Sequence, residues 1–272
     1  MTTMDWTLGL SAQLGTAIIG RELRFLPSVG STNDLLKDAA RAGAAEGLVL
    51  VADEQTAGRG RRGRSWTAPA GSSLLVSILL RPSWLPASDA FLLTMLAAVA
   101  AAEALECCGA TIGLKWPNDL QIAGRKLGGI LVETELRDDH IDWTVLGCGI
   151  NVNWDPRGDP TLAMTATSLS LALGRQVERR TLLTALLQRL DQRYLALRRG
   201  ARTALSEAWR ARLSMLGQPV RVETPGGVLE GIAEDVTHAG VLLVRSADGV
   251  CHPITAGDVT LRVQDSGSQA IG

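Results

Sequence analysis

Apolar positions along the chain follow two rhythms, and each predicts a different element. Residues 48–52 and Ser73–Leu80 are apolar at nearly every position, which predicts strands buried on both faces, the second closed by Pro82. Leu23, Phe25 and Leu26 predict an earlier strand that ends at Pro27-Ser28-Val29-Gly30. Ser31-Thr32-Asn33-Asp34 then reads as a helix N-cap, because these side chains accept from the free N–H groups of a first turn. Leu35, Leu36, Ala39 and Ala40 supply that helix with an apolar face, and Gly43 stops it. Residues 1–20 are weakly amphipathic and predict a short helix, whereas residues 56–71 follow neither rhythm and predict a loop. Ser88 and Asp89 are expected to cap a long Ala/Leu helix that ends at Gly109.

The middle of the chain predicts strands: residues 112–116, a Pro117-Asn118-Asp119 turn, a hairpin of 120–122 and 127–135 around Gly124-Arg125, and 141–152. Helices are expected near 168–173 and across 180–197 and 203–216. Strands and helices are mixed, not strictly alternating, so the expected class is α/β (α+β): a mixed sheet with covering helices. At about Gly217 the texture changes to short β runs at 220–223, 231–236, 241–245 and 249–254, separated by Gly-containing turns. The division expected is a catalytic-sized domain over 1–216, a small β-barrel over 217–264 and a flexible tail over 265–272.

Composition removes several classes. The chain has 272 residues, 46% apolar and 20% charged, which excludes wholesale disorder. Basic residues number 27 and acidic ones 28, so a general nucleic-acid binder is disfavoured and any such role needs a local patch. The longest apolar run, 96–102, is broken by Glu103 and too short to span a bilayer. The start of the chain, with Asp5 and no basic residue before Arg21, does not read as a signal peptide. Cys107, Cys108, Cys148 and Cys251 form no C-x-x-C pair and read as reduced thiols in a cytoplasmic protein.

Three strings carry candidate chemistry. Gly58-Arg59-Gly60-Arg61-Arg62-Gly63-Arg64-Ser65-Trp66 satisfies G-x-G-x-x-G, but a dinucleotide site or P-loop needs a helix straight after the glycines, and here a loop and a strand follow. Its glycines allow close approach to a ligand; its four arginines repel one another and are expected to hold the empty loop open until an anion binds. Taken alone, the string equally fits a solvated basic loop that touches RNA. Lys115-Trp116-Pro117-Asn118-Asp119 places an ammonium at the end of an apolar strand, where it needs an anionic partner. Lys126 lies across the hairpin beside Gly128-Gly129, and a charged hairpin tip is the bland alternative. Gly147-Cys148-Gly149-Ile150-Asn151 puts small residues on a buried strand, which leaves room for a flat group or for close packing.

Together with Ser31-Thr32-Asn33-Asp34, Glu54-Gln55-Thr56-Ala57, the stretch from Ser77 to Pro82 and the stretch from Lys126 to Glu133, these strings resemble the biotin–protein ligases, in that family's order and spacing. The resemblance is strong over 23–155 and weaker in the C-terminal β segment. It implies a catalytic domain like that of class II aminoacyl-tRNA synthetases, followed by an SH3-like barrel. It also implies a two-step reaction. Biotin and Mg-ATP give biotinyl-5′-AMP, and a lysine of a biotin carboxyl carrier domain then takes the biotin. Two anions 4 Å apart repel by about 4 kcal/mol at an effective dielectric of 20, so fixed cations are the main catalytic need.

By resemblance, Ser31, Thr32 and Asn33 hold the ureido end of biotin and Gln55 contacts the same ligand; Gly58, Arg59, Gly60 and Arg61 wrap its tail and the phosphate; Lys126, beside Gly129, meets its carboxylate. Arg64, Trp66, Lys115, Asn118, Asp119, Asn151 and Arg262 fall on the nucleotide side, with Trp66 on the adenine and Asp119 as a candidate Mg²⁺ ligand. Arg61, Lys115 and Lys126 are the expected catalytic cations. Gly128 stands where many relatives have alanine and is expected to leave room beside Lys126. Some family members carry an N-terminal DNA-binding domain. Only thirty residues precede Ser31, against roughly 50 for a separate domain, so no DNA partner is expected. A homodimer is possible, with the 129–133 strand as an edge that pairs. The alternatives are a lipoate or octanoate ligase on the same fold, or a nucleic-acid module built on the Gly-Arg loop.

Overall fold

The computed structural model describes residues 4–261. Arg262 and the tail over 265–272 lie outside the described residues. Residues 4–20 hold one helical turn, α1 (Leu10–Gln13), and not a longer helix. Gly9, Gly15 and Gly20 take φ of 75°, 66° and 81°, which interrupts right-handed helix. The segment is strapped to the body by Asp191, whose carboxylate accepts from the N–H groups of Ala17, Ile18 and Ile19, each at 2.9 Å.

Strand β1 (Leu23–Leu26), helix α2 (Thr32–Arg41), β2 (Val49–Ala52) and β3 (Ser73–Leu80) follow as the pattern predicts. Ser31 caps α2, accepting from the Asp34 N–H at 3.4 Å. On α2 the burial falls on Leu36 and Ala40, one turn apart, while Leu35 is 41% exposed and does not join the apolar face. Helix α3 (Phe91–Glu106) begins later than expected. Ser88 and Asp89 lie in a preceding 3-10 turn and do not cap it; Asp89 pairs instead with Arg202 at 2.9 Å. Four strands come next: β4 (Gly113–Lys115), β5 (Asp119–Ile122), β6 (Arg125–Arg137) and β7 (His140–Asn151). Helices α4 (Leu169–Leu173), α5 (Arg179–Arg198) and α6 (Arg202–Arg210) complete this part. Helix α6 stops six residues short of Leu216, because the next segment leaves the helix to pair with β4: Leu114 N–H donates to Arg212, and Ser214 N–H donates to Leu114.

Seven strands form one mixed sheet in the order β1-β2-β3-β7-β6-β5-β4, with β1 and β2 parallel and the rest antiparallel. Helix α3 packs on one face, backed by α5 and α6, and the other face carries α2. With its preceding turn, α3 is the one described helix long and apolar enough to cross a membrane; 67% of its most apolar window is buried in this core. Strands β8 (Pro219–Thr224), β9 (Gly227–Val236), β10 (Leu242–Arg245), β11 (Cys251–Ile254) and β12 (Asp258–Leu261) form a second, antiparallel, SH3-like sheet, with β12 beside β8. Trp116, fully buried, joins the two sheets by donating from Nε1 to the Gly240 carbonyl at 2.9 Å.

Candidate active site

The site lies on the α2 face of the large sheet, where strand alternation carves its floor. On β7, Trp143 and Val145 point to this face and pack under α2 with Leu36. The next two positions on the same face are Gly147 and Gly149, and there the floor drops away. The space above these glycines is filled by side chains of the chain itself. A Cβ on Gly147 would stand 2.3 Å from Asn33 Oδ1, and one on Gly149 would stand 2.8 Å from the Trp66 ring. The flat group that the small residues accommodate is therefore Trp66.

One end of the cleft is neutral and polar. Thr32 donates from N–H and Oγ1 to Gln55 Oε1 at 2.8 and 2.9 Å. Ser77 Oγ donates to Asn33 Oδ1 at 2.6 Å and lies 2.7 Å from Thr32 Oγ1. Asn33 donates from Nδ2 to Glu133 at 2.9 Å and to the Leu131 carbonyl at 3.3 Å. Ser31, Thr32 and Asn33 are buried and line the cleft.

The other end is cationic. Asp119 opens β5 with its two oxygens between two ammonium groups: Lys126 at 2.7 Å and Lys115 at 3.6 Å. This supplies the anionic partner that the buried end of β4 requires. Lys126 Nζ also stands 5.8 Å from the centre of the Trp66 ring. Arg61 donates to Asn118 Oδ1 at 3.3 Å, and Asn118 donates on to the Ile130 carbonyl. Burial pushes the Arg61 guanidinium below its ordinary pKa, although Asp258 and Asp119 pull the other way.

The Gly-Arg loop closes over both ends as a tight hairpin. Trp66 N–H donates to Gly58 at 2.9 Å and Gly60 N–H donates to Arg64 at 2.6 Å. Gly58 serves this hairpin more than a ligand, because a Cβ there would meet the Trp66 carbonyl at 2.4 Å. The expected self-repulsion is offset by carboxylates. Arg59 pairs with Glu133 at 2.6 Å and Asp34 at 2.8 Å; Arg62 and Arg64 pair with Asp258 on β12 at 3.2 and 2.9 Å. Carboxylates of the same chain thus tether the loop through three of its four arginines. Asp258→Asn should loosen it. Partly exposed pairs are each worth up to about 1 kcal/mol, so tryptic cleavage within the loop should rise about three- to tenfold. Equal cleavage rates in both proteins would remove Asp258 as the tether.

Glu133 is the acid at the centre of this arrangement. Burial would raise its pKa, but hydrogen bonds from Arg59, Asn33 and Lys37 outweigh that and hold it below the ordinary value of 4.5. A carboxyl whose folded pKa is depressed contributes stability above its unfolded pKa and loses it as the pH falls through the folded value. Between roughly pH 6 and pH 3 the wild-type protein should therefore lose more stability than Glu133→Gln, as read by denaturant titration at each pH. Parallel losses would contradict the pairing.

Most expected site residues meet in one cleft: Ser31, Thr32, Asn33, Gln55, Arg59, Gly60, Arg61, Arg64, Trp66, Lys115, Asn118, Asp119, Lys126 and Gly129 all line it. Its space, open mouth included, is about 1120 Å³. Gly58 is set behind, in the hairpin backbone. Asn151 lies one step beyond Gly149 on the same face of β7, buried, donating to the Thr167 carbonyl at 3.0 Å. Its Oδ1, like the Trp66 Nε1, has no partner among the described residues. Gly128 gives no spare room beside Lys126, since a Cβ there would meet the Gly149 carbonyl at 2.7 Å; Gly129 is the glycine that faces the lysine. Four participants are given no role by the sequence reading, although Ser77 and Glu133 lie in its matched stretches: Glu133, Asp258, Ser77 and Lys37. None of the three histidines lines the cleft.

The family models decide what this cleft belongs to. The biotin/lipoate A/B protein ligase family matches residues 25–151, and the biotin protein ligase C-terminal domain matches residues 215–262. A biotin–[acetyl-CoA-carboxylase] ligase of Mycobacterium tuberculosis is 38% identical over 247 residues, covering 88% of each chain. The chain belongs to the biotin protein ligases. Among this ligase's relatives, the bifunctional ligase/repressor BirA of Bacillus subtilis is 34% identical over 250 residues, 91% of this chain and 76% of that one. The biotin protein ligase of Aquifex aeolicus, solved with biotin and ATP, shares the fold at a TM-score of 0.76 and 28% identity. The match covers 89% of this ligase and 99% of that chain.

Among the described residues there is no cluster of three or more His, Cys, Asp or Glu side chains set to hold a metal. Asp119 Oδ1 and Oδ2 already face Lys126 and Lys115. The residues fit a magnesium that enters with the nucleotide's phosphates, as part of the substrate, and not a resident ion.

Proposed function

We infer that this ligase activates biotin with ATP and transfers it to a lysine of a biotin carboxyl carrier domain. The observation that carries the reading is the polarity of one continuous cleft. A neutral hydrogen-bonding end at Ser31, Thr32, Asn33 and Gln55 leads to a cationic end at Arg61, Lys115 and Lys126. Biotin has the same order, a ureido ring at one end and a carboxylate at the other.

The chain's residues then act as follows. The neutral end orients the ureido ring. Lys126 exchanges Asp119 for the biotin carboxylate and brings it to the α-phosphate. Arg61 and Lys115 offset charge on the phosphate while the carboxylate oxygen bonds to phosphorus and pyrophosphate leaves. The neutral carrier amine next attacks the acyl carbon, releasing AMP and one proton. No general base is demanded in the first step, which suits a cleft with no histidine in its lining. Asp119 is the carboxylate at hand for a nucleotide-bound magnesium.

The arginine run does not support the nucleic-acid reading, because Arg59, Arg62 and Arg64 are each engaged with a carboxylate of the same chain. Four free thiols and a nucleotide substrate support a cytoplasmic setting. For a homodimer, Gly129 is an interior position, paired with both Asp119 and Gly149. The open edge of β6 begins beyond Ile130, so the surface that would pair is shifted from 129–133 toward the hairpin tip. Biotin-dependent ATP–pyrophosphate exchange, with lipoate and octanoate in parallel, tests the function. Exchange with biotin is expected; exchange with lipoate or octanoate instead would assign the chain to the sister activity.

A further inference from the structure

Four side chains, of which Arg59 lines the cleft, form a closed ring of ion pairs. Asp34 meets Lys37 at 2.8 Å, Lys37 meets Glu133 at 2.9 Å, Glu133 meets Arg59 at 2.6 Å, and Arg59 returns to Asp34 at 2.8 Å. Asp34 and Lys37 are on α2, Glu133 is on β6 and Arg59 is on the loop, so the ring ties three elements together. One member does something more. Glu133 Oε2 accepts from Arg59 and also, at 2.9 Å, from Asn33 Nδ2.

That second bond dictates which way the Asn33 amide points. Reversing it would put the amide oxygen against the Glu133 carboxylate and the Leu131 carbonyl, two acceptors facing a third. With Glu133 ionised, the NH₂ is committed to β6 and the oxygen is turned to Ser77 and to Gly147 on the floor of the cleft. That oxygen has two lone pairs and Ser77 uses one. The other is left for an N–H donor, which a ureido ring has and an alkyl or dithiolane acid lacks.

We propose that Glu133 is a positioning residue for biotin: it locks the Asn33 amide as an acceptor for a ureido N–H and clasps Arg59 across the cleft mouth. The proposal rests on the biotin reading above. It makes Glu133 the residue through which loop closure and recognition of the ureido ring are coupled, although Glu133 itself need not touch the ligand.

The test is Glu133→Gln, which keeps shape, removes the charge and turns one of the two acceptor oxygens into an NH₂ that can only donate, so Asn33, Arg59 and Lys37 can no longer all be served. Biotin and ATP affinities are measured by calorimetry, and KM and kcat by pyrophosphate exchange. Loss of a hydrogen bond of this kind corresponds to about ten- to hundredfold, so biotin Kd and KM should rise by that factor. The ATP Kd should stay within about twofold and kcat within about threefold. Loss of a negative charge by itself would tighten both anions, so weaker biotin with unweakened ATP cannot come from long-range charge. Asn33→Ala in the Glu133→Gln background should cost no more than Asn33→Ala alone, because the two act as one unit. Glu133→Asp, which keeps the charge but falls short of Asn33, should show the same selective loss and serves if the Gln variant does not fold. Unchanged biotin binding, equal loss of biotin and ATP, or additive effects with Asn33→Ala would each overturn the proposal. Wild-type protein that shows no biotin-dependent exchange would overturn the function and the proposal together.

Discussion

Lys126→Ala is expected to slow biotin-dependent adenylation by about 10²–10³, the usual cost of removing one preorganised charge from a transition state. One deletion has two consequences. The ammonium that would meet the ligand carboxylate is lost, and Asp119 is unmasked. In the wild type Lys126 stands 2.7 Å from Asp119, with Lys115 farther away at 3.6 Å. Without Lys126, an incoming carboxylate faces a second carboxylate, a repulsion of about 4 kcal/mol at 4 Å and an effective dielectric of 20. The ATP KM should move far less, since Arg61 and Lys115 remain. Adding Asp119→Asn to Lys126→Ala should restore part of the loss by removing the unmasked charge. Pyrophosphate-exchange kinetics with each substrate varied would show this. A full rate in Lys126→Ala, or a rise in ATP KM as large as that for biotin, would contradict the assignment.

Gly147→Ala is expected to cut biotin affinity by at least about a hundredfold and destabilise the fold by about 1–3 kcal/mol, the range for overpacking a close-packed site. A single methyl has this reach because of where β7 passes. Its Cβ would come within 2.3 Å of Asn33 Oδ1 and 3.0 Å of Cγ and Nδ2, so the whole amide must move. Moving it breaks the bonds to Ser77, Leu131 and Glu133 at once. Calorimetry with biotin and a thermal melt separate the two effects. Biotin binding at the wild-type level would mean that Asn33 is not part of the biotin end.

Where burial alone decides the local structure, the sequence reading and the structure agree. Ser73–Leu80 is buried at all eight positions, and an unbroken apolar run has few other solutions. The errors fall where a distant partner decides. Leu213 and Met215 continue the apolar spacing of α6, yet the backbone there pairs with β4, about a hundred residues earlier. Ser88 and Asp89 are good capping residues by type, but Asp89 is drawn to Arg202. The same limit governs the site. Lys115, Asp119 and Lys126 were readable as a charge group because they lie within twelve residues of sequence. The acids that neutralise the arginine loop were not. Asp258 is 194 positions from Arg64 and Glu133 is 74 positions from Arg59, and no local period connects them.

In the proposed reaction, one cleft joins a biotin carboxylate to the α-phosphate of ATP. A single turnover with excess protein, biotin and ATP labelled at the α-phosphate tests it most directly, with bound products separated after quenching. Label is expected in biotinyl-5′-AMP only when biotin is present, and this species is expected to disappear as AMP when a carrier domain is added. Label that remains in ATP, or is released as AMP at the same rate with and without biotin, would contradict it.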